Sequence, residues 1–331
     1  MEDYIFSSTY LRTIEKWLLD KTDLQRMIGA ENPERALRVL EDTNYAKEFK
    51  GLISKTPPQE YRKILLDDMR LAKELLYKLT KDKHLIILLL SFFDFYNLKI
   101  FFKEKFFGLN LQKFISFHSS QLPEELKKAV KGEKKAKINP LFKKIIEKAN
   151  EKFKEGKDPF FIENYLDKER FRLSLFLAKK IKSKWILNYF KRKIDLFNLS
   201  NIIRLYYLGR KEKIKEVLVE GGNIKWEKEK LEKFENMREL IAFLSKKFDL
   251  KVRESLEKYL EEGNLWKLMR RLKNLDIEYL KTSKFISVGP EVILAYFVAR
   301  QNANRNVRIV MEGKLFGIKN SEIQERVRAP F

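Results

Sequence analysis

The C-terminal sequence SVGPEVILAYFVARQNANRNVRIVMEGKLFGIKNSEIQERVR, residues 287–328, decides how the rest of the chain is interpreted. It contains a helix start at Gly289-Pro290-Glu291, where a carboxylate follows proline near the positive end of the helix dipole. Polar Asn306 and Arg308 then stand between apolar flanks. Because polar groups beside an apolar surface need partners, this helix is predicted to make specific contacts.

The frame that begins at Asn306 occurs three times. Its copies are NLKIFFKEKFFG from Asn97, NLSNIIRLYYLG from Asn198 and NVRIVMEGKLFG from Asn306. The first, fourth, fifth and tenth residues after each asparagine are apolar, and the eleventh is glycine: Gly108, Gly209 and Gly317. Eleven residues make about three helical turns, so each asparagine and its glycine share a helix face.

Acidic residues accompany two of these copies. Asp94 and Asp195 lie three residues before their asparagines, where the third copy has Ala303. The bare spacing from asparagine to glycine is weak evidence, and Asn302 to Gly313 is a chance match with a polar residue in an apolar position. The shared apolar frame and near-even offsets, 198 − 97 = 101 and 306 − 198 = 108, instead indicate an internal triplication. We therefore predict helical units at residues 1–110, 111–210 and 211–331.

The composition indicates a folded chain with a large excess of positive charge. Its 331 residues carry 70 Lys and Arg against 47 Asp and Glu, a net charge of +23. A net charge of this size is typical of proteins that bind nucleic acid, an acidic protein face or anionic lipid. The alternative is that the excess lysine only aids solubility. The lack of cysteine excludes disulfides and thiolate metal sites. The longest apolar run, Leu85 to Phe93, is shorter than the roughly 20 residues of a membrane span.

Proline positions and apolar periodicity predict an all-α protein. Seven of the eight prolines lie where helices are predicted to start or to be linked, and no alternating strand pattern with a hairpin turn is present. Among the predicted helices are 59–81, 85–107, 227–247 and 265–272, and residues 282–287 are predicted to be extended.

No catalytic, metal or cofactor pattern is found. His84 and His118 lack other metal ligands at suitable spacing, and Gly313-Lys314 is followed by leucine, which does not fit a phosphate-binding loop. Lysine-rich stretches at 127–137 and 179–184 leave nucleic-acid binding open. No known nucleic-acid-binding motif supports that alternative, however.

These motifs resemble the C subunit of archaeal and bacterial A/V-type ATP synthases, whose eukaryotic counterpart is the d subunit of the vacuolar ATPase. The resemblance rests mainly on Gly289-Pro290-Glu291, Arg305-Asn306-x-Arg308 and Gly313-Lys314-x-x-Gly317. Tyr4, Arg12 and the sequence LEDTNY at 40–45 also fit. Ala303 and the charged loop at 131–137 depart from the pattern, which leaves local contacts open.

The resemblance implies three similar helical units around a pseudo-threefold axis, forming a funnel. It implies a non-catalytic rotor protein, without cofactor or metal, that couples the central stalk to the membrane proteolipid ring during ATP-driven or ATP-forming proton or sodium transport. Its partners would be the D and F subunits of the central stalk and the ring, with possible anionic lipid contact, no nucleic acid and one copy per complex. It would lie on the cytoplasmic side of the membrane as a peripheral subunit.

The resemblance also places residues 287–328 near the stalk. Arg308 follows Asn306 by two residues, about 200° around the helix, so the two side chains have different surroundings. We expect Arg308, with Arg305 and Lys314, to bind acidic or carbonyl groups of the stalk, while Asn306 fixes local packing. Asn97 and Asn198 either face the central hollow or only tie helices together. A basic helical nucleic-acid-binding protein and a general helical scaffold remain alternatives.

Overall fold

A computed structural model describes residues 4–47, 50–153 and 158–331. No strand occurs in these ranges, which confirms the all-α prediction. Short 3-10 turns link some of the helices. The α-helices are α1 Ile5–Ile14, α2 Lys21–Gly29, α3 Pro33–Arg38, α4 Lys50–Ile53, α5 Arg62–Leu79, α6 Lys83–Phe107, α7 Pro123–Lys131, α8 Pro140–Phe153, α9 Pro159–Ile181, α10 Lys184–Tyr207, α11 Ile214–Val217, α12 Lys228–Leu231, α13 Met237–Ser245, α14 Leu250–Glu262, α15 Leu265–Lys281, α16 Pro290–Leu315 and α17 Asn320–Arg326.

Prolines and polar caps set many of the helix starts. Proline opens α3, α7, α8, α9 and α16, where its missing N–H costs no intrahelical bond. Asp82 caps α6 by accepting from the backbone N–H groups of His84 and Leu85. The signature helix α16 starts at Pro290, as the sequence predicts.

The chain packs as two compact units. The discontinuous unit combines Met1–Lys81 with Phe234–Phe331, and the continuous unit is Asp82–Lys233. In the discontinuous unit, α16 packs against α1, α2, α3, α5, α15 and α17. Its core joins residues from both chain segments, among them Met27, Leu40, Val310 and Ile323. This pairing of the two ends of the sequence surrounds α16 with protein on most sides.

In the continuous unit, α6 packs against α7 and α9, and α9 packs against α10. Aromatic pairs fill its centre, with Phe95 beside Phe142 and Phe102 beside Phe153. By length and composition α6 is apolar enough to cross a membrane, since an 18-residue window within it has a mean hydropathy of 1.9. However, 78% of that window is buried inside the protein, so α6 serves as a core helix.

Three local predictions were wrong. The predicted helix 227–247 is two helices, α12 and α13, because Asn236 caps a new start by accepting from Glu239 N–H. The predicted helix 265–272 extends to Lys281 as α15. Residues 282–285, predicted to be extended, form a 3-10 turn.

The predicted units 1–110, 111–210 and 211–331 describe an internal sequence repeat, whereas the two compact units describe packing. The first two signature helices, α6 and α10, lie in the continuous unit, and the third, α16, lies in the discontinuous one. The threefold division and the funnel around a pseudo-threefold axis stay predictions.

Candidate functional site

The three signature asparagines make the same pair of hydrogen bonds. In each copy the side-chain amide donates to the carbonyl oxygen of a later residue, whose backbone N–H donates back to the asparagine oxygen. The donor–acceptor distances are 2.7 and 2.8 Å for Asn97, 2.8 and 2.8 Å for Asn198, and 3.0 and 3.0 Å for Asn306. All three asparagines are fully buried. The later residues are Ser116, Val219 and Arg328, and we call each such pair an asparagine lock.

The geometry explains why asparagine occupies these positions. Its side-chain amide offers both a donor and an acceptor, so it can pair with the backbone C=O and N–H groups of a single residue. A neighbouring strand in a β-sheet makes the same two bonds. Each lock holds the segment that follows the glycine against the helix before it. The sequence analysis left open whether Asn97 and Asn198 face a hollow. In the structure both side-chain amides form hydrogen bonds with the backbone of their own unit.

Aspartates strengthen the first two locks. The Asp94 carboxylate accepts from the backbone N–H groups of Ser120 and Gln121, at 3.1 and 2.9 Å. Asp195 likewise accepts from Asn223 and Ile224, at 2.9 and 3.2 Å. In each copy these residues follow the lock partner by four and five positions, so the two copies share both contacts.

The close approach at Asp195 requires glycine. A Cβ added to Gly222 would lie 2.0 Å from Oδ1 of Asp195, so any side chain there would displace the carboxylate. Burial raises the pKa of Asp195, although the hydrogen bonds from Asn223 and Ile224 oppose that rise. The carboxylate is therefore held mainly by hydrogen bonds from Asn223 and Ile224, and the nearby Arg192 charge also favours its ionised form.

The third copy uses amides instead of an acid. Ala303 is buried and makes no such cap. Asn302 donates from Nδ2 to the Ala329 carbonyl at 2.9 Å, and the Ala329 N–H donates to Asn274 Oδ1 at 2.9 Å. The sequence analysis missed both amides. The spacing from Asn302 to Asn306 was the available signal, because residues four apart lie on one helix face.

The glycines of the frame adopt one conformation. Gly108, Gly209 and Gly317 have φ values of 66°, 68° and 65°, and each follows its signature helix. This left-handed backbone suits glycine because it has no Cβ to clash with the neighbouring carbonyl. The chain therefore turns in the same sense at the end of all three helices.

Arg308, a predicted stalk-binding residue, lies at the surface but has an internal partner. Its Nε donates to Oε1 of Glu312 at 2.9 Å. The same oxygen accepts from Arg62 at 3.0 Å and from the Tyr61 hydroxyl at 3.1 Å. Because one carboxylate serves two guanidinium groups, positive charge remains in excess around Arg308.

Lys314 reaches back into its own unit. Its ammonium group donates to the Ala30 carbonyl and to Oδ1 of Asn320. Burial lowers the pKa of Lys314. The ammonium group of Lys314 is therefore already hydrogen-bonded within its own unit.

Arg305 lies at the surface, and no described carboxylate is within ion-pair distance of it or of Arg328. The pKa of Arg305 is lowered, mainly because its guanidinium group has lost solvent contact and also because the positive charge of Arg308 is nearby. Burial, with a further contribution from Arg305, lowers the pKa of Arg328 to about 10. The asparagine lock brings Arg328 next to the helix turn that carries Arg305. The sequence analysis singled out Arg305 but missed Arg328.

A buried ion pair lies further up α16. Arg300 donates to Oδ1 of Asp68 from Nε at 2.9 Å, and Nη2 is 2.8 Å from the same oxygen. Asn304 donates to the other carboxylate oxygen at 2.6 Å, and Arg300 also donates to the Tyr296 hydroxyl at 3.2 Å. Burial alone would lower the pKa of Arg300, but the Asp68 carboxylate raises it above its ordinary value. This charged pair ties α5 to α16.

Comparisons with known proteins match almost the whole chain. Residues 7–326 match the family described as ATP synthase (C/AC39) subunit. The C subunit of the A-type ATP synthase of Methanosarcina barkeri (strain Fusaro / DSM 804) is 23% identical over 363 residues, covering 98% of this chain and 92% of that protein. The C subunit of the A-type ATP synthase of Methanosarcina mazei (strain ATCC BAA-159 / DSM 3647 / Goe1 / Go1 / JCM 11833 / OCM 88) is 23% identical over 354 residues, with the same two shares.

Proposed function

Because the chain belongs to the ATP synthase (C/AC39) subunit family, we propose that it couples the central stalk of an A/V-type ATPase to the membrane proteolipid ring. It is a non-catalytic subunit of that complex. Its partners in this proposal are the D and F subunits of the central stalk and the ring, with one copy per complex. It lies on the cytoplasmic side of the membrane as a peripheral subunit.

The repeated asparagine lock supports a role in transmitting torque. A coupler must resist deformation, and each lock joins the segment after a long helix to that helix through two hydrogen bonds of a fully buried asparagine. Hydrogen bonds in buried sites are costly to break because water cannot replace them readily. The ends of α6, α10 and α16 are therefore stiffened by the same means.

Arg305 is the best candidate for contact with the stalk. Arg308 shares Glu312 with Arg62, and Lys314 is bonded to Ala30 and Asn320. Arg305 has no described carboxylate partner, so a partner carboxylate or carbonyl group would be its first strong acceptor. In this proposal Arg305 binds the stalk directly, while Arg308 and Lys314 add positive charge around it.

A binding titration with the purified D and F subunits of the stalk tests the stalk contact. Removing one charge-assisted hydrogen bond costs about 1.5–3 kcal/mol, so Arg305→Ala is expected to weaken binding by about 10-fold to 150-fold. Arg308→Ala is expected to weaken binding less, because Glu312 already neutralises part of the Arg308 charge. Arg35→Ala serves as the control, since Arg35 is an exposed arginine of the same unit that pairs with Glu31.

Circular dichroism melting of each variant shows whether the chain stays folded. A folded Arg305→Ala variant that binds the stalk as tightly as the native chain would remove Arg305 from the proposed contact. A native chain that binds neither the stalk nor the ring would remove the coupling role itself.

A further inference from the structure

The turn between α9 and α10 forms a tight helical hairpin. The link consists of Lys182, whose φ of 61° is left-handed, and Ser183. The Ser183 hydroxyl caps α10 by accepting from the Ile186 N–H at 3.0 Å. The Lys182 N–H donates to the Lys179 carbonyl at 3.2 Å. The closed end of the hairpin, residues 176–189, is thus held in a defined shape, and we call it the hairpin tip.

The hairpin tip has a one-sided charge. Residues 170–194 contain nine lysines and arginines and no aspartate or glutamate. Four of the lysines cluster at the turn and are exposed: Lys179, Lys180, Lys182 and Lys184. In the described part of the chain, none of these four has a carboxylate within ion-pair distance. Their charges therefore add to one another instead of being neutralised locally.

Folding stability does not explain all of these lysines. Lys179 and Lys180 lie in the last turn of α9, where positive charge complements the helix dipole. Lys184 is instead the first residue of α10, where the dipole disfavours positive charge. Lys182 occupies a left-handed conformation that glycine or asparagine would adopt at lower cost. Two of the four lysines thus lie at positions that are unfavourable for folding.

Aromatic side chains accompany the lysines. Phe176 is 43% exposed, and the Lys180 ammonium group lies 5.6 Å from its ring centroid. Trp185 is half-buried and stacks on Tyr189, with ring centroids 6.0 Å apart. Aromatic rings beside lysines are favoured at the boundary between lipid headgroups and acyl chains.

The chemistry of the tip favours one class of partner. Lysine is a strongly hydrated point charge, whereas arginine suits bidentate pairing with fixed carboxylates or nucleic-acid phosphates. A cluster of lysines without arginine therefore fits a diffuse anionic surface better than a set of fixed acceptors. We propose that the hairpin tip docks on anionic lipid headgroups, with Phe176 contacting the boundary of the acyl chains. This proposal does not depend on the stalk contact of Arg305.

Vesicle flotation of the full chain tests the proposal. The probes are phosphatidylcholine vesicles with and without phosphatidylglycerol, at low and at high salt. A hairpin variant changes Lys179, Lys180, Lys182 and Lys184 to glutamine. Each basic residue near an anionic surface contributes about fivefold to binding, so this variant is expected to lose several hundredfold in affinity at low salt.

The matched control changes four other lysines, three exposed and one half-buried, to glutamine and lowers the net charge equally. These lysines pair with glutamates elsewhere in the chain: Lys63, Lys128, Lys213 and Lys251. The control is expected to lose much less affinity than the hairpin variant. Phe176→Ala is expected to weaken binding while leaving its salt dependence unchanged.

Equal losses in the hairpin variant and the control would overturn the proposal, because binding would then follow net charge alone. It would also be overturned if the native chain did not bind phosphatidylglycerol vesicles but bound single-stranded RNA through the same lysines. Circular dichroism of both quadruple variants shows that each loss occurs in a folded chain.

Discussion

The first two signature copies and the third carry the same asparagine lock but use the surrounding polar groups differently. In the first two, Asp94 and Asp195 cap backbone N–H groups of the segment that the lock holds. In the third, Ala303 replaces the acid, and Asn302 and other amides hold the backbone. The third copy thus keeps the lock without adding a negative charge.

This difference leaves a surplus of positive charge at the third copy. No described carboxylate lies within ion-pair distance of Arg305 or Arg328, although the Asp276 carboxylate acts on Arg328 from further away, and an acid in place of Ala303 would bring negative charge to the helix that carries Arg305. The first two copies use their charged groups within their own fold. The third keeps two guanidinium groups available to a partner, which is why we place the stalk contact there.

The largest expected effect concerns a contact of the third copy with distant sequence. Six residues before the asparagine, the first copy has Ser91, which bonds locally to the Leu88 carbonyl. The third copy has Arg300, which pairs with Asp68 on α5. Asp68→Ala leaves the buried Arg300 charge unpaired and is expected to lower the free energy of unfolding by about 3–5 kcal/mol. Urea unfolding followed by circular dichroism measures the change.

The control for that prediction is the double variant Asp68→Leu with Arg300→Met. Replacing both partners of a buried pair with apolar residues removes the unpaired charge, so most of the lost stability is expected to return. If Asp68→Ala alone costs less than about 1 kcal/mol, water reaches Arg300 and the pair is not an important tie between α5 and α16.

The sequence predicts local features of the site better than distant ones. The asparagine-to-glycine spacing lies within one helix, so periodicity alone places both residues on one face. Pairs such as Arg300 with Asp68, or Lys314 with Ala30, join residues more than two hundred positions apart. No periodic pattern encodes them, because they depend on how the two ends of the chain pack together.

Arg328 illustrates the same limit at shorter range. It follows Asn306 by 22 residues, with a turn and the short helix α17 between them. Its place beside Arg305 results from the lock, which only the backbone geometry reveals. The break between α12 and α13 was missed for another reason: the linker EKFEN at 232–236 contains no proline or glycine to mark a helix end, and the capping role of Asn236 was not recognised.

A second prediction compares the locks directly. Asn198→Ala removes two hydrogen bonds and leaves the N–H and C=O groups of buried Val219 without partners, so it is expected to cost about 2–4 kcal/mol. Asn306→Ala is expected to cost about 1 kcal/mol less, because Arg328 is only half-buried and water can replace part of the lock. Thermal and urea unfolding of both variants measure the difference.

Asn201→Ala is the control for both locks, because Asn201 lies on the same helix α10 and is not a lock residue. It is expected to be nearly neutral, since alanine favours the helix. A loss at Asn201 equal to that at Asn198 would mean that the lock contributes nothing specific.

The smallest effect tests whether the three helix ends are equivalent. Gly108, Gly209 and Gly317 differ in φ by only a few degrees, and an added Cβ at each meets no atom within 4 Å. Alanine at each position therefore pays only the cost of a left-handed backbone, about 1 kcal/mol, and the three variants should lose equal stability. Asparagine at the same positions is expected to cost less, because it tolerates this conformation.

Urea unfolding of the six variants compares their losses of stability. A loss at Gly317 several times that at Gly108 and Gly209 would mean that the third helix end is constrained by contacts that the other two lack, and the copies would then share a sequence frame without sharing its energetics.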